Sequence, residues 1–203
     1  MHISDGVLPT PVSIAGFAAS FVIAAWSVRK TDPDELPKVA VVTSAFFVAS
    51  LIHVPMGPTS VHLLLPGLVG ILLGNAAFVS ILLGIALQSF LFQFGGITAI
   101  GANSLMMGVP ALAAGMAFRW LRGTTLVRHM VAAAFSGGAC VIMAVGFLAG
   151  LLYSGGEDFL GVARIAALAH LPVVGIEGAI SAFTVSFLFK VKPELLGMDP
   201  SAT

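Results

Sequence analysis

Between Lys38 and Arg119 this chain carries no Asp, Glu, Lys or Arg. That uncharged length constrains the fold more than any other feature. A soluble domain would need charge to meet water on its outer face. A membrane-crossing helix instead needs about 20 consecutive apolar residues, because nothing in the hydrocarbon layer satisfies an open backbone. With 58% hydrophobic and 9% charged residues, the whole chain falls in that class. The apolar runs predict spans over 11–28, 39–54, 59–73, 76–94, 105–121, 130–153 and 165–189. The third, interrupted by Pro66 and several glycines, is expected to be short and irregular or partly re-entrant. Gly74 and Asn75 predict a tight turn after it. Residues 31–38, 95–104 and 154–158 are polar or Gly-rich enough to read as loops.

The basic residues test this count. Seven spans put the termini on opposite faces. One face then receives Arg29, Lys30, Lys38, Arg119, Arg122, Arg128, Lys190 and Lys192, and only Arg164 falls on the other. The positive-inside rule makes the basic face cytoplasmic. A six-span alternative without the weak third segment would scatter the charges over both faces. The expectation is an all-α integral membrane protein of seven transmembrane helices, N-terminus outside and C-terminus cytoplasmic. Residues 1–203 form one transmembrane domain, with residues 1–10 as a distinct N-terminal segment. The start lacks the basic flank of a secretory leader, so it is expected to be mature as written.

Zero formal net charge and the lack of a basic, aromatic stretch argue against nucleic-acid binding. The single Cys140 excludes an intrachain disulfide and a Cys-based zinc site, and reads as a small core residue. There is no His-Glu-x-x-His motif, no phosphate-binding loop and no nucleophile–base pair. The chain is therefore not expected to be an enzyme, and energy for uphill transport must come from a partner. Small residues such as Gly108, Ala111, Gly115, Gly137 and Gly138 predict close helix packing, or else a docking face for another membrane subunit.

The chemistry concentrates at the start. Met1 N, His2 N and His2 Nδ1 close two fused chelate rings around one metal ion, provided the Met1 amine is free. Planar nitrogen ligation suits Ni²⁺ or Cu²⁺ and admits low-spin cobalt. A fourth nitrogen can come from His53 or His62, which bracket a turn on the same predicted face. Thr59 and Ser60 are placed to orient the His62 ring by hydrogen bonds. Asp5 can balance the metal's charge or bend the segment inward, and Gly6 permits the turn that this needs. The 95–104 loop, with Asn103, is positioned to cap the site. His170 and Glu177, seven residues apart on the last span, share a helix face. They read as a polar contact in the bundle or as a pair involved in coupling or ion passage. His129, in a basic connector, is expected to be solvated.

These residues resemble a known family. Met1-His2-Ile3-Ser4-Asp5-Gly6-Val7-Leu8, Pro58-Thr59-Ser60-Val61-His62-Leu63, Gly95-Gly96-Ile97-Thr98-Ala99-Ile100-Gly101-Ala102-Asn103, and the stretch from His170-Leu171-Pro172 to Glu177-Gly178 are similar to the CbiM/NikM family. Its members are the substrate-specific membrane subunits of energy-coupling-factor transporters for cobalt and nickel. The resemblance implies a six-helix bundle with an extra N-terminal helix, whose leading segment inserts into the protein. It implies metal ligation by Met1, His2 and His62, with His53, where members often carry Asn, as a neighbouring partner or alternative ligand. It further implies a CbiQ/NikQ-type coupling subunit, CbiO/NikO-type ATPases and often a small CbiN/NikN-type membrane subunit. Co²⁺ or Ni²⁺ would be the cargo, with no organic cofactor, at the cell inner membrane and in the context of cobalamin biosynthesis. A membrane metalloenzyme or a passive metal channel using the same N-terminal metal are the rival readings.

Overall fold

A computed structural model describes residues 2–56, 59–63, 65–156 and 159–198. Among them are seven α-helices: α1 (Thr10–Arg29), α2 (Leu36–Ser50), α3 (Pro66–Leu73), α4 (Ala77–Phe92), α5 (Ile100–Leu121), α6 (Leu126–Gly155) and α7 (Leu160–Val191). A two-stranded antiparallel hairpin, β1 (His53–Met56) and β2 (Thr59–His62), lies between α2 and α3. Among the described residues, five stretches have the length and hydropathy to cross a membrane: Thr10–Arg29, Pro66–Phe92, Ile97–Leu121, Leu126–Gly155 and Leu160–Val191.

α5 is the hub, packing against α1, α3, α4 and α6. Its helix carries an internal Pro110 and is buried along most of its length. α1 shows the opposite balance. It buries only Gly16, Ser20 and Ser27, a stripe of small residues at helical spacing. The rest, including Phe21 at 75% exposed, faces outward. Pro11 in the first turn and Arg29 in the last suit the ends of this helix. Ser20 Oγ donates to Gly101 O at 2.7 Å, tying the middle of α1 to the start of α5.

α3 and α4 do not form one rod. Gly70 of α3 abuts Ala111 and Gly115 of α5, and Gly74 lies beside Arg119. α3 thus runs alongside α5 toward its C-terminal end. Phe78 of α4 then lies against Gly108, so α4 returns the other way. The reversal occurs at Gly74, whose φ of +54° is a conformation that favours glycine. The expected Gly74–Asn75 turn is present, and Ser27 Oγ of α1 donates to Asn75 O at 2.6 Å.

Several expected boundaries are corrected. Helix α2 stops at Ser50 rather than 54, and α3 starts at Pro66 rather than 59. The residues between make the hairpin, so the fold is helical but not wholly so. Pro55 and Pro58 remove amide donors, and a helix there would lack them. The expected 95–104 loop is helical from Ile100, after a 3₁₀ turn over Ile97–Ala99. Its glycines serve packing there, since Gly101 lies directly on the α1 backbone at Phe17. His129 is not solvated. It sits on the first turns of α6, 1% exposed, with its ring edge-on to Phe118 and Phe189.

Candidate metal-capture site

The segment before α1 folds back into the bundle. Ile3 and Leu8 are buried in the main apolar core. Burying two large aliphatic side chains supplies roughly 3–6 kcal/mol of driving force in aqueous transfer terms. Asn103 on the first turns of α5 fixes the direction of the segment. Its Oδ1 accepts from Ile3 N at 2.9 Å, and its Nδ2 donates to Ile3 O at 3.0 Å. One buried amide therefore satisfies both backbone groups of the residue next to His2, as a neighbouring strand would.

His2 is partly buried. Its Nε2 lies 2.8 Å from Gln88 Oε1 on α4. Gln88 Nε2 donates to Ser50 Oγ at 2.7 Å, and Ser50 Oγ donates to Phe47 O at 2.6 Å. Burial lowers the His2 pKa to about 4, against the opposing pull of the Gln88 hydrogen bond. The ring is neutral near pH 7, as a metal ligand must be.

A loop closes over the segment. Gly95 has φ +74°, and a Cβ there would meet Asn103 Nδ2 at 2.9 Å and His2 Cβ at 3.3 Å. A Cβ on Gly96 would overlap the Asp5 carboxylate. Asp5 Oδ1 accepts from Thr98 N at 2.8 Å and from the Thr98 hydroxyl, and Oδ2 accepts from Ile97 N at 3.2 Å. The Thr98 hydroxyl first, then the Thr98 and Ile97 amides, hold the Asp5 carboxyl below its usual range, against the opposing effect of burial. Asp5 thus straps the N-terminal segment to the 3₁₀ turn.

Of the residues expected at the site, the structure brings His2, Asp5 and Asn103 together. Met1 lies outside the described residues, as do the side chains of His53, Ser60 and His62. The backbone makes His53 and His62 Cα partners at the base of the hairpin. That base follows Ser50 of the His2 hydrogen-bond chain by three residues. His170 and Glu177 are both buried, at 1% and 0% exposed. They engage different groups: His170 Nδ1 lies 2.7 Å from Ala166 O, and Glu177 Oε1 accepts from Leu65 N at 2.7 Å. Glu177 therefore holds the chain three residues beyond His62, where α3 begins. Sequence reasoning missed Gln88 and Ser50. A glutamine inside the uncharged α4 was the available signal, since a buried amide requires partners.

The chain was compared with known proteins. Residues 2–195 match the CbiM family model, described as "Cobalt uptake substrate-specific transmembrane region". A "Putative metal transport protein" of Haemophilus influenzae is 35% identical, the alignment covering 97% of each chain. A "Fused nickel transport protein NikMN" of Rhodobacter capsulatus is 34% identical over 97% of this chain, which spans 64% of that longer protein. A crystal structure of a transition metal transporter superposes with a TM-score of 0.75 at 25% identity, covering 94% of this chain and 93% of the other. The chain therefore belongs to the CbiM family, as a membrane transport component and not an enzyme.

Proposed function

We propose that this chain captures Co²⁺ or Ni²⁺ on the outer face of the cell membrane and delivers it to an ATP-driven energy-coupling-factor importer. The observation that carries the reading is the inserted N-terminus: Ile3 clamped by Asn103, and His2 held neutral against Gln88 under the Gly95–Gly96 turn. Such an arrangement costs a buried amide and a strapped loop only to fix the first residues of the chain. The donors are Met1 N, His2 N, His2 Nδ1 and the His62 imidazole, with His53 beside His62 in the hairpin register. Among the described residues no three His, Cys, Asp or Glu gather as a metal cluster. In this reading the terminal amine and a backbone amide supply what a carboxylate or thiolate cage would supply elsewhere. Asn103 acts on the backbone and Asp5 on the loop.

The ion sheds water as the four nitrogens replace it, and the amine and the amide give up protons. Affinity falls in acid for that reason. A planar nitrogen set favours Ni²⁺ over Co²⁺ chemically, and supply decides between them in the cell.

Seven transmembrane passes form one domain, with α2 and the hairpin–α3 unit as the two short ones. Support comes from how the ends gather. The turn at Gly74, the end of α1 at Ser27, and Arg119 on α5 lie together. Arg122 donates to Leu196 O at the same end of α5. His2, Gln88 and Asn103 lie at the other end of α4 and α5. The basic end is cytoplasmic and the His2 end external. Transport then requires a CbiQ/NikQ-type coupling subunit and CbiO/NikO-type ATPases. A CbiN/NikN-type subunit joins them, a role consistent with a relative named as a NikMN fusion.

Metal analysis of the purified protein with competitive Ni²⁺/Co²⁺ titration tests the reading. His2→Ala is expected to abolish tight binding of both ions, and binding like the parent's refutes the site.

A further inference from the structure

Gln88 and Ser50 have no place in the donor set, yet they form a hydrogen-bond chain that ends on the His2 ring. The orientation of that chain follows from its protons. A serine hydroxyl has a single proton, and Ser50 Oγ lies 2.6 Å from Phe47 O, a carbonyl that only accepts. The Ser50 proton is therefore committed to Phe47. Whatever reaches Ser50 from Gln88 must donate, so the amide nitrogen lies on that side, at 2.7 Å. Gln88 Oε1 then faces His2 and can only accept. At 2.8 Å it requires the proton on His2 Nε2, and the lone pair of the neutral ring is on Nδ1.

The choice of nitrogen matters chemically. Nδ1 closes a six-membered ring with the amide nitrogen of its own residue, and Nε2 is too distant to do so. Gln88 is fully buried and Ser50 2% exposed, so water does not offer a competing partner. Without the relay, the ring turns about its two side-chain torsions and its proton moves between nitrogens.

We infer that Gln88 and Ser50 are positioning residues of the capture site. They hold His2 as the Nε2–H tautomer and in the orientation that gives Nδ1 to the metal. The relay also ties the site to the last turn of α2, from which the hairpin carrying His53 and His62 departs. This inference rests on the capture reading proposed above.

The test uses the full chain in detergent, with Ni²⁺ alone as the probe. It reads affinity by calorimetry and donor geometry by the absorption band of planar, nitrogen-bound Ni²⁺. Gln88→Leu removes the acceptor and is expected to lower affinity about 10–100-fold, the usual effect of losing such a partner, and to weaken the planar band. Gln88→Glu keeps an oxygen acceptor and is expected to retain the band. Ser50→Ala lets the amide turn over, giving a loss in the same direction but smaller. Parent-like affinity and band in Gln88→Leu overturn the inference. Should that variant not fold, Ser50→Ala decides, and an unchanged affinity and band overturn it equally. His2→Ala separates the two levels. If it too binds like the parent, the capture site is wrong. If it abolishes binding while Gln88→Leu does not, only the relay is wrong.

Discussion

The His2 end of the bundle and the α6–α7 interface both bury polar side chains, but they use them differently. At the His2 end, Asn103 binds Ile3, Gln88 joins His2 to Ser50, and Asp5 binds the 97–98 amides. Each bond links segments far apart in the sequence. Between α6 and α7, the Ser181 hydroxyl has no hydrogen-bond partner among the described residues, nor has Nε2 of His170 on α7; the same is true of the Ser89 and Ser104 hydroxyls on α4 and α5. At the α6–α7 interface the backbones approach through small residues: a Cβ on Gly178 would meet Ala134 O at 2.9 Å. One region spends polarity on fixing a geometry. The other uses serine and glycine for their size, as membrane helix interfaces commonly do.

The sharpest way to break this contrast is Asn103→Ala. It leaves the Ile3 N–H and C=O buried without their partner, at a cost of about 1–3 kcal/mol each. The first ten residues should lose their insertion. Hydrogen exchange over residues 2–9 should rise sharply, and Ni²⁺ affinity should collapse with it. Slow exchange in the variant would show that Ile3 and Leu8 hold the segment by apolar burial alone.

Acid is the next lever, and its sign follows from two depressed pKa values. His2 falls from 6.5 to about 4 in the folded protein. Its neutral, inserted state is fully favoured above pH 6.5 and loses that advantage as pH drops toward 4. The displacement amounts to at most about 3 kcal/mol. Asp5 also lies below its ordinary 3.8, so its strap persists above that value and is lost as pH falls through the lower native one. Hydrogen-exchange probes of the metal-free N-terminal segment should show loosening that starts near pH 6 and is complete only well below 4. The α6–α7 interface should not respond in the upper window. Loosening there at the same pH would dissolve the distinction between the regions.

How far the sequence foretold these two regions differs for physical reasons. Long apolar runs identify α1, α5, α6 and α7 because hydropathy over a full span is a strong, additive signal. It fails at α2 and α3, which have 15 and 8 residues and are separated by a hairpin. Composition misled at 100–104, where Gly, Ala and Asn suggest a loop, although α1 needs that smallness on a helix. Local context misled at His129, whose basic neighbours say nothing of the Phe118 and Phe189 rings that cover it. The proposed Met1–His2 chelate could be read from the sequence alone because its donors are adjacent there. Gln88 and Ser50 were not, because their partners lie 86 and 38 residues away and a single amide in an apolar run has no pattern.

The smallest expected effect is the most discriminating. Ser181 Oγ is buried and has no hydrogen-bond partner among the described residues, and it lies where a Cβ on Gly137 would come within 2.5 Å. If its role is to be small, Ser181→Ala removes only a hydroxyl that contributes no bond among the described residues. Stability against detergent-induced unfolding should stay within about 0.5 kcal/mol of the parent, in the range of substitutions that touch no special feature, and Ni²⁺ affinity should not move. A loss above 1 kcal/mol, the typical worth of a hydrogen bond, would mean that the hydroxyl is bonded in the membrane. The α6–α7 interface would then be specified by polar contacts in the same sense as the His2 end. If metal affinity fell as well, that specification would extend from α7 to the capture site, most directly through Glu177 and the Leu65 amide it holds beside the hairpin.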